Sequence, residues 1–126
     1  LGARPWQPGS GGLGVKLAAV PSGLPGALET VWATAAAHGL AARAAAHAAT
    51  GILWAGLDRA EPAFVNEARE RLAGRATLVV AEAPLEAKRV VDAWGPAGDA
   101  LPLMRRVKER FDPAGLLSPG RFAGGI

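Results

Sequence analysis

The chain of 126 residues contains no cysteine and no tyrosine, and only one methionine and two histidines. Without cysteine it forms no disulfide, ligates no iron–sulfur cluster and performs no thiol chemistry, so any such centre has to belong to a partner. No apolar run approaches the roughly 20 residues of a membrane-spanning helix, and no charged n-region, apolar h-region and cleavage site open the sequence. The expectation is a soluble, cytoplasmic protein with no direct membrane insertion, associated with a membrane only through partners. Side-chain amides are almost absent, with Gln7 and Asn66 the only two. Together with abundant alanine, arginine and proline, this points to a thermophilic or GC-rich source.

The net charge of +3 raises the question of nucleic acid. The basic residues are dispersed among acids, no RNA-binding aromatic motif is present, and there is no tyrosine to stack on bases, so no nucleic-acid partner is expected. The length suffices for one domain with a real core.

Hydrophobic spacing gives the order of elements. Leu1 to Leu13, rich in glycine and proline, reads as a linker, and the start at Leu1 without methionine suggests a piece of something larger. Gly14 to Val20 alternates as a first strand. Leu24, Leu28, Val31, Trp32 and Ala35 form the inward stripe of a helix running to His38, which serves as its cationic C-terminal cap, with Gly39 ending it. Leu40 to Ala48 and Ile52 to Leu57 read as a hairpin around Thr50-Gly51. Asp58 caps a helix from Glu61 to Leu72 that turns Phe64, Val65, Ala68 and Leu72 inward. Ala76 to Ala81 is a fourth strand.

The order βαββαβ predicts an α+β, ferredoxin-like fold over residues 14–83: an antiparallel sheet with both helices on one face. Its other face, carrying small and apolar residues, is expected to be a floor for a partner domain or a ligand. A helical turn from Leu85 to Val91 leads out, and a last helix, Leu101 to Phe111, is expected to bury Met104, Val107 and Phe111 while Arg105, Arg106, Lys108 and Arg110 face outward.

Beyond this helix the chain bends twice. Asp112-Pro113-Ala114-Gly115 has proline second and glycine fourth, as in a type I turn, and Ser118-Pro119-Gly120 supplies the proline and the positive-φ glycine of a type II turn. Phe111-Asp112-Pro113, Gly115, Leu117-Ser118-Pro119-Gly120-Arg121, preceded by Trp94-Gly95-Pro96 and closed by Gly-Gly-Ile, resembles the C-terminal signature of the FAD-linked oxidases of the vanillyl-alcohol oxidase type. Within that family it is most similar to the GlcE-type subunits of bacterial glycolate oxidase.

This resemblance implies an FAD-dependent oxidoreductase that converts glycolate, or another small 2-hydroxy acid, to the oxo acid. A GlcD-type flavin subunit and an iron–sulfur subunit are the implied partners. Residues 14–83 would be the cap or substrate domain, and 84–126 the helix and arm that return to an FAD-binding domain preceding residues 1–13. The cofactor itself would be bound mainly by that domain, because Gly9-Ser10-Gly11-Gly12-Leu13-Gly14 does not follow a strand and open a helix as a phosphate-cradling loop does.

The resemblance also implies site residues. In the arm, Ser118, Gly120 and Arg121 approach the flavin or its pyrophosphate, Arg121 being suited to hold an anion bidentately; the alternative is that Arg121 pairs with a carboxylate at a domain interface. His47-Ala48-Ala49-Thr50-Gly51-Ile52-Leu53-Trp54 lies where related enzymes carry a run with two histidines, of which only His47 remains. One imidazole without carboxylate neighbours is not a metal site. Arg43 and His47 share the open face by period two, so either they contact a substrate carboxylate or His47 is simply a polar residue there. No Ser-His-Asp or paired-carboxylate constellation identifies a catalytic residue. A non-catalytic ferredoxin-like module for ligand binding or dimerisation is the competing reading.

Overall fold

A computed structural model describes residues 4–7 and 9–126; the first three residues of the expected linker, and Pro8, lie outside the described residues. Among the described residues are four strands and four α-helices: β1 (Leu13–Ala19), α1 (Leu24–Ala37), β2 (Ala42–His47), β3 (Ile52–Leu57), α2 (Pro62–Leu72), β4 (Ala76–Glu82), α3 (Leu85–Val90) and α4 (Leu101–Phe111). The chain divides into two compact units, one through Ala93 and one from Trp94 to Ile126.

In the first unit the sheet order is β2-β3-β1-β4, antiparallel throughout. This is the ferredoxin-like α+β arrangement that the element order implies. Alternation along the strands decides the core: Leu13, Val15 and Leu17 of β1, Leu53, Ala55 and Leu57 of β3, and Leu78 and Val80 of β4 are all buried. They meet Phe64, Val65, Ala68 and Leu72 of α2 and Leu24, Ala27, Val31 and Ala35 of α1. Full burial of a leucine such as Leu17 or Leu53 is worth about 1.5–3 kcal/mol.

Several local expectations are corrected. Trp32 does not point inward; it is exposed, and the line of α1 against the core runs through Ala27, Val31, Thr34 and Ala35. Small residues on that line let helix and sheet approach closely, and Trp32, about 100° around the helix from Val31, falls outside it. Buried Thr34 satisfies its hydroxyl on the carbonyl of Thr30 at 2.8 Å. β2 starts two residues later than expected, at Ala42, since Leu40 turns into the core and donates its N–H to the carbonyl of Ala35.

Asp58 does not cap α2; it accepts the N–H of Ala41 at 3.0 Å and closes the end of the β2–β3 pair. The cap is Glu61, whose carboxylate faces the N–H of Ala63. Nor does His38 serve as the cationic cap of α1. Its Nε2 lies 2.7 Å from a carboxylate oxygen of Glu67 on α2, and its ring stands edge-on to Phe64. The cation at that helix end is Arg59, which donates to the carbonyls of His38 and Gly39.

The edge of β4 is protected from within the same unit. After α3, the N–H of Val80 donates to the carbonyl of Ala93 at 2.7 Å, and half-buried Arg69 donates to the carbonyls of Leu78 and Ala93. Burial pushes the Arg69 guanidinium below its ordinary pKa, an effect that nearby Asp92 opposes.

The second unit contains α4 and the arm. No residue of α4 is buried, which corrects the expected burial of Met104, Val107 and Phe111; Phe111 is 79% exposed. A single helix beside an extended arm has too little neighbouring surface to enclose its apolar face.

Candidate functional site

The arm is fixed by its own polar groups. The N–H of Gly115 donates to the carbonyl of Asp112 at 3.0 Å, closing the expected first turn, with Gly115 at φ +64°. The Asp112 side chain reaches forward along the chain: one carboxylate oxygen accepts the N–H of Leu116 at 2.8 Å and the other that of Leu117 at 2.9 Å. Lys108, one turn earlier on α4, forms an ion pair with the same carboxylate and donates to the carbonyl of Leu117 at 2.6 Å. Asp112 is buried, and with the Lys108 ammonium and the Leu117 N–H as leading causes its pKa falls to about 2.

The second turn follows directly. Ser118 has φ +46°, the only non-glycine residue with positive φ among the described residues, and its carbonyl accepts the N–H of Arg121 at 3.3 Å. Gly120 at φ +72° gives the type II geometry its positive-φ position. Beyond the turn, Trp94 donates its indole N–H to the carbonyl of Arg121 at 2.9 Å and packs edge-on against Phe122, the ring centroids 4.6 Å apart. The arm is thereby held on both sides of its strained residue.

Ser118 and Arg121 line one groove of about 620 Å³ in this unit, with Leu103, Val107 and Phe111 of α4 and Phe122 of the arm supplying its apolar wall. Arg121 is exposed, and its guanidinium makes no ion pair among the described residues. Gly120 serves the turn through its backbone conformation.

Arg43 and His47 lie in the first unit. Arg43 pairs in register with Gly56, and His47 with Ile52, which puts both on the face of the sheet opposite α1 and α2. Both are exposed. They sit four residues apart on an edge strand, about 13 Å by strand rise, so the backbone does not bring them together. Among the described residues no group of three or more histidine or acidic side chains is gathered to hold a metal ion.

The part of this face that sequence reading missed is covered by the glycine-rich entry segment. Trp6 lies over Gly14 and Gly56, which pair across β1 and β3; a Cβ on Gly14 would stand 2.5 Å from the Trp6 ring, and one on Gly56 2.8 Å from its Cβ. The Trp6 ring is 5.7 Å from Trp54, whose opposite neighbour is the Lys16 ammonium at 5.6 Å. Glu82 completes the arrangement by accepting the Trp6 indole N–H and the backbone N–H of Gly9, both at 2.8 Å. Those two bonds, the Gly9 one foremost, lower the Glu82 pKa. The available signal was glycine inside two strands, which marks a close approach of other atoms to the sheet.

Residues 86–122 match the model of the FAD linked oxidases, C-terminal domain. The matched stretch includes Trp94, Lys108, Asp112, Ser118, Gly120 and Arg121. No curated protein and no solved structure matches the chain.

For a flavin nucleotide the two units differ. The glycine-rich segment is unsuited to its pyrophosphate, because the N–H of Gly9 is already given to a carboxylate and a strand, not a helix, follows. The arm of the matched segment is compatible with one anionic contact, through an exposed Arg121 guanidinium with no ion pair among the described residues, on a fixed turn. The described residues suit touching such a cofactor and not enclosing it. No described helix is long and apolar enough to cross a membrane.

Proposed function

We propose that this chain is the C-terminal cap region of an FAD-dependent oxidoreductase of the GlcE type, taking part in the oxidation of glycolate or a related small 2-hydroxy acid. The observation that carries the reading is the match of residues 86–122 to the C-terminal domain of FAD linked oxidases, over the segment where Asp112, Lys108 and Trp94 shape a fixed arm.

In this reading the flavin would be held mainly by another domain and would supply the two-electron oxidising capacity for the substrate's hydroxyl-bearing carbon. Arg121 meets an anionic group of the cofactor, with Ser118 and Gly120 setting its approach. The open sheet face closes over the substrate side, where Arg43 or His47, each exposed, contacts the substrate carboxylate. The partners in the reading are a GlcD-type flavin subunit and an iron–sulfur subunit, which carries the cluster that a chain without cysteine cannot ligate.

The test is reconstitution of the full-length protein with FAD, followed by gel filtration. A visible flavin spectrum that co-elutes with protein is expected. Protein that never retains flavin, alone or with its partner subunits, would refute the reading.

A further inference from the structure

Three groups converge on the Asp112 carboxylate: the N–H of Leu116, the N–H of Leu117 and the Lys108 ammonium. Lys108 also takes the Leu117 carbonyl. The residue immediately after this knot is Ser118, at φ +46°, a conformation that L-residues adopt at a cost of about 1–2 kcal/mol. Strain of that kind persists only where surrounding contacts over-determine the backbone. Upstream the determinant is the Asp112–Lys108 knot; downstream it is Trp94 on the Arg121 carbonyl. Arg121, whose carbonyl is that downstream contact, has an exposed side chain.

We infer that Asp112 and Lys108 form a lock that positions Arg121: by holding the N–H groups of Leu116 and Leu117 and the carbonyl of Leu117 they keep Ser118 in its left-handed conformation and aim the Arg121 guanidinium at a fixed anion site. Asp112 is therefore a positioning residue, acting through Ser118 and Arg121, and the ligand class is an anionic group such as a nucleotide phosphate. That ligand assignment rests on the proposed function; the lock itself does not.

A local turn cap would behave differently. Neutralising Asp112 would then loosen Leu116 and Leu117 alone. A lock transmits the loss to the far side of Ser118, where the N–H of Arg121 is bonded to the Ser118 carbonyl.

Two readouts on the full-length protein separate these cases. In hydrogen exchange, Asp112→Asn is expected to accelerate the Arg121 amide by about tenfold along with those of Leu116 and Leu117, while core amides of β1 and β3 stay protected. Lys108→Met, which leaves the carboxylate in place, should give the same pattern more weakly. In FAD titrations, Asp112→Asn and Arg121→Ala should each raise Kd by about tenfold, and the double variant should be no worse than Arg121→Ala alone, because one acts through the other. Acceleration confined to Leu116 and Leu117 overturns the lock. Additive losses in the double variant overturn it too, since Asp112 would then act independently of Arg121. If the Arg121 amide responds as expected but Arg121→Ala leaves FAD affinity unchanged, the lock stands and the cofactor contact of the proposed function falls.

Discussion

Trp6 donates its indole N–H to Glu82, 76 positions away, at 2.8 Å, while its ring closes the gap above Gly14 and its Cβ that above Gly56. The entry segment is thus part of the sheet's packing. Removing the ring takes away apolar contact and a hydrogen bond to a charged acceptor, so Trp6→Ala is expected to cost about 1–3 kcal/mol in chemical denaturation. Its effect on Glu82 has a definite sign. The native carboxyl titrates below its ordinary value of 4.5, so its contribution is full above that value and is lost as pH falls through the lowered one. In Trp6→Ala the Glu82 titration, followed by carboxyl NMR, should move upward.

Gly56→Val tests the same packing from below. The new side chain would collide with the Trp6 Cβ and with the carbonyl of Pro5 at 2.7 Å, and the entry segment has to lift. Tryptophan fluorescence should shift toward the solvent-exposed range while the far-UV spectrum of the sheet is kept. An unchanged emission spectrum would show that Trp6 is not seated there in solution.

The contrast between these glycines and the rest of the chain explains what was legible in the sequence. Strand and helix order followed from spacing: Val15 and Leu17 alternate, and Val31 and Ala35 recur at four, each because one face must be buried. Turns followed from residue chemistry, as at Pro113–Gly115 and Pro119–Gly120. Contacts between segments distant in sequence did not. Nothing near Trp6 announces Glu82, and nothing near His38 announces Glu67, because such pairs are decided by which elements the fold places side by side. Asp58 illustrates the same limit: an aspartate before a helix is a reasonable cap, but an unpaired N–H of Ala41 across the hairpin competes for it. In the arm, the motif residues were legible and the task of Asp112 was not, since proline after it drew attention to backbone conformation and away from its side chain.

Asp112 gives the arm a marked acid sensitivity. Its pKa falls from 3.8 to about 2, so its contribution is complete above the ordinary value and is lost as pH drops from about 4 to about 2. In wild-type protein the amide exchange of Leu116 and Leu117, corrected for the intrinsic pH dependence, should accelerate across that window. In Asp112→Asn it should already be fast at neutral pH and show no further change there.

The hairpin between β2 and β3 has a position that admits only glycine. Gly51 has φ +67°, its carbonyl accepts the N–H of Ala19 at 2.9 Å, and an added Cβ would stand 1.9 Å from the carbonyl oxygen of Ala19. Since the obstruction is backbone, it cannot rotate away. Gly51→Ala is expected to destabilise the first unit by more than about 2 kcal/mol, seen as a midpoint lower by several degrees in thermal unfolding. A midpoint within experimental error of wild type would mean that the hairpin is not closed against β1 as described.

The proposed participation in flavin-dependent oxidation of a small 2-hydroxy acid is tested most directly by anaerobic addition of glycolate to the full-length protein assembled with the proposed flavin and iron–sulfur partners. Bleaching of the visible flavin band on adding glycolate is expected, slowed in an assembly carrying Arg121→Ala. An assembly that holds flavin, yet keeps its oxidised spectrum with glycolate, lactate and other small 2-hydroxy acids, would contradict it.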